Sequence, residues 1–203
     1  MAIDLSVYEG LIFDMDGTLI DTMPAHMKAW KETAEHFNFI FDEQWIHSLG
    51  GMPSFKITSQ VNMKYGLNLD PTIVSQFKMK AFSEIGNKGS IIECTYSLLM
   101  KHQSDKKLAV GTGSQRVSAT QLLEQNNIID KINALVTATD VENHKPNPDT
   151  FLRASELLDL EPSQCVVFED TELGKQAAHA ANMDCIMVVG GNQLELYPKP
   201  ISS

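Results

Sequence analysis

The chain has 203 residues, 43% of them hydrophobic and 21% charged, which is enough for one ample domain or a core with a smaller insert. Its formal charge is −10, which argues against nucleic acid or an anionic membrane as the main partner, since both require positive surface. A phosphate-bearing substrate is then also repelled on average, so any phosphate site needs local positive charge. Three cysteines, Cys94, Cys165 and Cys185, an odd and widely spaced set among apolar neighbours, read as free thiols in a reducing, cytoplasmic setting. The first residues lack a basic segment followed by an apolar stretch, and no apolar run approaches a membrane span.

Leu11–Phe13 is a short apolar run that reads as a buried strand and ends in Asp14-Met-Asp-Gly-Thr18. From there to about Asn87 no comparable strand is visible. Helical patterns cover Ala25–Phe37, Asp42–Leu49, Phe55–Tyr65 and Pro71–Ile85, and Gly86-Asn-Lys-Gly89 follows. Residues 21–88 are therefore expected to form an inserted all-helical cap, with residues 1–20 and 89–203 as the core. Further buried strands are expected at Leu108–Gly111, Ala134–Val136, Cys165–Phe168 and Cys185–Val189, alternating with helices that follow Ser114, Pro148 and Asp170. In the first of these helices Val117, Leu122 and Leu123 form the apolar side; in the last, Ala177, Ala178, Ala180 and Ala181 offer a small-residue face. The fold class is α/β: a Rossmann-like, doubly wound parallel sheet core. The stretch from Gln193 to Ser203 reads as a loose tail.

In such sheets ligands bind beyond the carboxyl ends of the strands. Asp14 and Asp16 follow the first strand, Thr112, Gly113 and Ser114 the second, Lys145 the third across a loop, and Glu169 and Asp170 the fourth. Four acids in one crevice are costly unless a proton is shared or a cation is bound. Hard oxygen donors without a competing His/Cys set suit Mg²⁺, and a bound cation makes the site attractive to phosphate. Residues two apart in an extended segment point the same way, so Asp14 and Asp16 can address one substrate, and Gly17 allows a sharp turn after them. One carboxylate can attack phosphorus while the other carries the proton. The Thr112 hydroxyl and the N–H groups of Gly113 or Met15 can hold the remaining phosphate oxygens, and Lys145 opposes their charge.

Each piece also has an ordinary explanation. A calcium loop fails, because its glycine and glutamate positions hold Leu19 and Ala25. A dinucleotide fingerprint fails at Arg116. Gly111-Thr-Gly-Ser114 alone reads as a strand-to-helix turn capped by Ser114, Lys145 alone as a solvated lysine, and Glu169-Asp170 alone as acidic residues at a helix start. The four together, in order and each past a strand, point to phosphoryl chemistry.

The set Asp14-Met-Asp-Gly-Thr18, Thr112, Lys145 in His-Lys-Pro-Asn-Pro and Phe168-Glu-Asp170 resembles the haloacid dehalogenase superfamily over nearly the whole chain. The resemblance implies Asp14 as nucleophile, Asp16 as general acid and then base, and Mg²⁺ held by Asp14, the Asp16 carbonyl and Asp170 with Glu169 in support. Within that superfamily the chain is similar to β-phosphoglucomutases and to sugar phosphatases acting on fructose 1-phosphate. The mutase arginine that grips a second phosphate is missing from Gly51-Met-Pro-Ser-Phe-Lys56, which favours hydrolysis; Lys56 is the candidate substitute. His26 is a candidate substrate contact from the cap, and Trp30, one turn later on the same face, reads as core packing. Met23, Met27 and Met52 read as adaptable packing near the cap junction.

The expected activity is a Mg²⁺-dependent phosphatase of small sugar phosphates working through an aspartyl-phosphate. Its expected partner is a small phosphorylated metabolite, with neither nucleic acid nor membrane bound; the sequence does not fix the oligomeric state, and a monomer is favoured. The alternatives are the isomerase β-phosphoglucomutase and a non-catalytic phosphometabolite binder.

Overall fold

The computed structural model describes residues 3–200. Four-residue runs such as Gly10-Leu-Ile-Phe13 are apolar on both pleat faces, so they are stable only in the middle of a sheet covered on both sides. That is where strand β1 (Gly10–Phe13) lies: β2 (Lys107–Gly111) and β4 (Cys165–Glu169) pair with it in parallel, and β3 (Ala134–Val136) and β5 (Asp184–Val189) extend the sheet. With a sixth strand, β6 (Gln193–Tyr197), at the far edge, the order is β3-β2-β1-β4-β5-β6. The chain steps outward from β1 to β2 on one side and then crosses to β4 on the other. That reversal opens a crevice at the carboxyl end of β1.

Alternate side chains divide between the faces. Leu11, Phe13, Leu108, Val110, Val166, Phe168 and Ile186 pack under α5 (Glu93–Lys101) and α6 (Arg116–Gln125), where the Phe13 and Phe168 rings stack with centroids 4.5 Å apart. Ile12, Ala109, Val167, Cys185 and Met187 pack under α7 (Asp149–Leu157) and α8 (Glu172–Ala180), whose Ala177 and Ala178 permit the close approach. Helix α5 carries no distinct signal in the sequence and was not expected.

Four helices, α1 (Met23–Phe37), α2 (Glu43–Ser48), α3 (Ser54–Tyr65) and α4 (Pro71–Glu84), come between β1 and α5. Pro71 opens α4 behind Asp70, whose carboxylate accepts the Thr72 and Ile73 N–H groups at 2.8 and 3.2 Å. Trp30, Ile46, Ile57, Val61 and Val74 bury a second, smaller core among these helices. The segments leading out to and back from this layer run side by side, with the Asp21 N–H donating to the Ser90 carbonyl at 2.8 Å.

Two expectations are corrected. The stretch from Gln193 is not all tail: β6 (Gln193–Tyr197) pairs antiparallel with β5 after a tight turn through Gly190 and Gly191. Its side chains are mostly exposed, so the alternation that marks a buried strand is absent. Val117 is 81% exposed rather than on the apolar side of α6, which is formed by Ala119, Leu122 and Leu123.

Candidate active site

Asp14 leaves β1 with its N–H on the Phe168 carbonyl at 2.9 Å, and the chain then folds back so that the Leu19 and Ile20 N–H groups both reach the Met15 carbonyl at 3.0 Å. Gly17 holds φ +88, and a methyl group there would run into the Asp170 carboxylate. The turn therefore presents Asp14 and Asp16 to the crevice while Asp170 closes in from the end of β4.

Lys145 is the hub of the acid cluster. Its Nζ donates to Asp14 Oδ1 at 2.5 Å, to Glu169 Oε1 at 2.6 Å and to the Gly111 carbonyl at 3.2 Å. Burial works against its charge, but the two carboxylates outweigh burial and hold it above the ordinary lysine range. Glu169 is fully buried, and its other oxygen accepts the Asp170 and Thr171 N–H groups and the Thr171 hydroxyl. It is thus fixed and satisfied. Asp14 accepts from Lys145 and Asp170 from the Thr18 hydroxyl (3.3 Å), yet burial, then neighbouring carboxylates, push both toward protonation, Asp170 to about 8.

One oxygen each from Asp14, Glu169 and Asp170 lie within 4.8 Å of one another. A hard divalent cation fits this donor set: carboxylate oxygens only, two of them driven toward neutrality by burial and by neighbouring carboxylate charge that a cation would offset. The absence of nitrogen or sulfur donors from the cluster disfavours zinc.

Asp16 has the opposite environment. Its carboxylate accepts from the Thr22 hydroxyl (2.6 Å), His26 Nε2 (3.2 Å), the Thr112 hydroxyl (3.2 Å) and the Ser114 hydroxyl (2.7 Å). Burial works against the charge, but the His26, Thr22 and Ser114 contacts outweigh it and hold Asp16 well below the usual carboxylate range. His26 Nδ1 in turn meets Lys78 Nζ at 2.6 Å. An ammonium only donates, so Nδ1 accepts and Nε2 carries the proton aimed at Asp16. Burial, followed by the charge of Lys78, keeps His26 neutral, while burial holds Lys78 itself at about 8.

These groups share one cleft, which Met23, Met27, Met52, Met79, Ser54 and Ser75 also line. Its cavity is about 60 Å³, far below the several hundred Å³ typical of a small-molecule site, with the helical layer lying close over it. The lid contact is intimate: a methyl group at Gly113 would collide with the Gly51 carbonyl oxygen.

The candidates named from sequence thus divide. Asp14, Asp16, Thr112, Gly113 and His26 line the cleft, and Lys145, Glu169 and Asp170 contact or surround Asp14. Met15 is buried, with its carbonyl used in the turn. Lys56 is not among the cleft-lining residues. Ser114 is not the helix cap: Gln115 holds that position, and the Ser114 hydroxyl serves Asp16. Lys78 was not foreseen from sequence. Its signal is its place on the buried stripe Val74, Lys78, Phe82 of α4, where a lysine does not belong. Ser114 stands among the strand-end polar residues named from sequence, without a role there, and Thr22 carries no signal.

An acid-lined crevice at the reversal point of a parallel sheet, with a helical layer folded over it, defines a hydrolase of the haloacid dehalogenase type, and the chain belongs to that family: residues 11–188 match the model for haloacid dehalogenase-like hydrolases. Within the family it is close to sugar-phosphate phosphatases. It is 38% identical over 181 residues to the Escherichia coli fructose-1-phosphate phosphatase YqaB, covering 89% of this chain and 96% of that one. It is 28% identical to the Bacillus subtilis β-phosphoglucomutase, covering 92% and 85% of the two chains. Among solved structures, a hydrolase from Pseudomonas syringae superposes with a TM-score of 0.83 at 25% identity, over 91% of this chain and 86% of that one. Among the described residues, no helix is long and apolar enough to cross a membrane.

Proposed function

We propose that the protein is a Mg²⁺-dependent phosphatase of small sugar phosphates, fructose 1-phosphate-like in size and charge, working through a phosphorylated Asp14. The observation that carries this reading is the unequal treatment of two neighbouring carboxylates. Asp14 touches the Lys145 cation inside the acid cluster, while Asp16 is surrounded by donors. Lys145 and a cation at the carboxylates favour the ionised Asp14 that attack on phosphorus requires, while Asp16 lies outside that cluster, where hydroxyls and His26 place it to take up and pass on a proton.

Asp14, the Asp16 backbone carbonyl and Asp170 would hold Mg²⁺, with Glu169 behind them. Bound there, the cation supplies charge that offsets the carboxylates and attracts the phosphate. An Asp14 oxygen attacks phosphorus, the bond to the sugar oxygen breaks, and the proton on Asp16 passes to that oxygen. Lys145 opposes the charge on the transferring group, and the Thr112 hydroxyl with the Met15 and Gly113 N–H groups hold its oxygens. The donors around Asp16 keep it ionised in the free cleft, so the proton it passes on is one taken up as the substrate binds, with the monoanion of the phosphate ester as its source. Water then attacks the aspartyl-phosphate, Asp16 takes the water proton, the bond to Asp14 breaks and inorganic phosphate leaves.

Sugar phosphates are favoured by the relatives' activities and by the polar groups on the lid side of the cleft, Ser54, Ser75, His26 and Lys78. The test is a phosphate-release screen over sugar phosphates, nucleotides and phosphoglycolate with Mg²⁺, reported as kcat/KM. The highest values are expected for small sugar phosphates, with free phosphate as product. Isomerised sugar phosphate in place of free phosphate would make the protein a mutase, and no turnover across the panel would make it a binding protein.

A further inference from the structure

His144 stands next to Lys145 and is 5% exposed. Its Nε2 lies 3.0 Å from the Ala138 carbonyl. A carbonyl only accepts, so Nε2 carries the hydrogen and Nδ1 is left with a bare lone pair. That Nδ1 is buried and has no hydrogen-bond partner among the described residues. Phe55, in the first turn of α3, packs edge-to-face on the ring, with centroids 5.6 Å apart and planes at 84°. The same lid stretch sets Gly51 against Gly113 and the Lys145 side chain. Residues 51–55 thus rest on the loops that carry Thr112 and Lys145, with one aromatic contact at the end of the seat.

We propose that His144 is a positioning residue: its neutral ring seats the helical lid through Phe55, and its protonation lifts the lid. A proton on Nδ1 would have no acceptor in the seated position. The charged groups that face the ring are Lys56 on α3, which repels the imidazolium, and Asp149 at the start of α7, which attracts it. Burial first, then Lys56, outweighs the Ala138 carbonyl and Asp149 and pulls the group below its ordinary value. The sign follows. A group that is harder to protonate when the lid is seated binds more protons when it is lifted, so acidification through the ordinary histidine range of about 6.5 favours lifting. Substrate retention then weakens toward acid, and KM rises more than kcat falls.

The kinetic arm rests on the phosphatase reading; the exchange arm does not. Amide hydrogen exchange over residues 50–56 is measured on the free protein at about pH 5.5 and about pH 7.5, corrected for intrinsic rates. Wild type, Phe55→Ala, His144→Ala, the double variant and His144→Phe are compared. Each single alanine variant should speed exchange about 2- to 10-fold, the scale of an aromatic pair, and the double variant should be no faster than either single one. His144→Phe, which keeps a ring but cannot titrate, should lose the acid acceleration seen in wild type. On the substrate found in the screen, His144→Ala should raise KM at about pH 7.5 with kcat changed less than about twofold. Phe55→Ala carries the test if His144→Ala fails to fold. Additive effects of the two alanines, or an acid acceleration that persists in His144→Phe, would overturn the proposal. If wild type hydrolyses nothing, the phosphatase reading fails and exchange alone decides this one.

Discussion

Lys78→Met separates stability from function. Lys78 is 2% exposed, donates to His26 Nδ1, and has no carboxylate within ion-pair distance among the described residues. Burial brings it down from 10.5 to about 8. At pH 7 the charge therefore costs the folded state about 3 kcal/mol, at 1.36 kcal/mol for each pH unit of the displacement. Methionine has nearly the same shape and no charge, and the hydrogen bond lost to His26 is worth about 1 kcal/mol. The variant should gain about 2 kcal/mol, which for a chain of this size raises Tm by about 4–8 °C. Its kcat/KM should nonetheless fall at least about tenfold, because Lys78 no longer fixes the His26 tautomer that donates to Asp16. The pH dependence has a definite sign. The lysine's folded value is depressed, so the unfolded chain holds more protons between about 8 and 10.5. Wild type then gains stability across that window and the difference from Lys78→Met narrows. Chemical denaturation at three pH values and a steady-state assay settle both parts. A variant that melts at or below wild type, or that keeps full activity, would refute the reasoning.

Two further outcomes follow from the acid cluster. Lys145→Met removes the cation between Asp14 and Glu169, leaving buried charge without a partner. A loss of about 3–5 kcal/mol is expected, with no measurable turnover, and thermal melting shows whether the cluster tolerates the change after all. In metal-free buffer the raised values of Asp14 and Asp170 mean that the folded chain keeps protons the unfolded chain has lost. Tm should therefore fall as pH rises from about 4 to about 8, and added Mg²⁺ should suppress the fall. A Tm independent of both pH and Mg²⁺ in that range would count against a cation at these carboxylates.

Much of the fold was legible because β1, β2, β4 and β5 are mostly buried on both faces and read as continuous apolar runs between helices, and the short edge strand β3 is apolar throughout. The edge strand β6 was not, since its exposed Glu195 and Tyr197 look like tail and its position depends on the turn at Gly190-Gly191. The core side of the site was legible because each chemical group follows a strand in order, which local sequence can encode. The lid side was not. Lys78 reaches Asp16 only through His26, across a packing of α1 on α4 that joins residues 52 apart in sequence. Ser114 looked like a cap residue because a hydroxyl before a helix usually is one; Asp16, far off in sequence, competes for it. The same limit applies to Lys56, whose spacing in the loop after Gly51 suggested a phosphate contact, although it lies outside the cleft lining.

The central claim is that Asp14 is phosphorylated during turnover. Acid-quenching the enzyme within its first turnovers on the best substrate from the screen, followed by peptide mapping, reads this directly. The expected result is one acid-stable, base-labile phosphoryl group on the peptide that contains Asp14, absent from Asp14→Asn, which should also release no phosphate. A phosphoryl group on another residue, or turnover retained in Asp14→Asn, would contradict it.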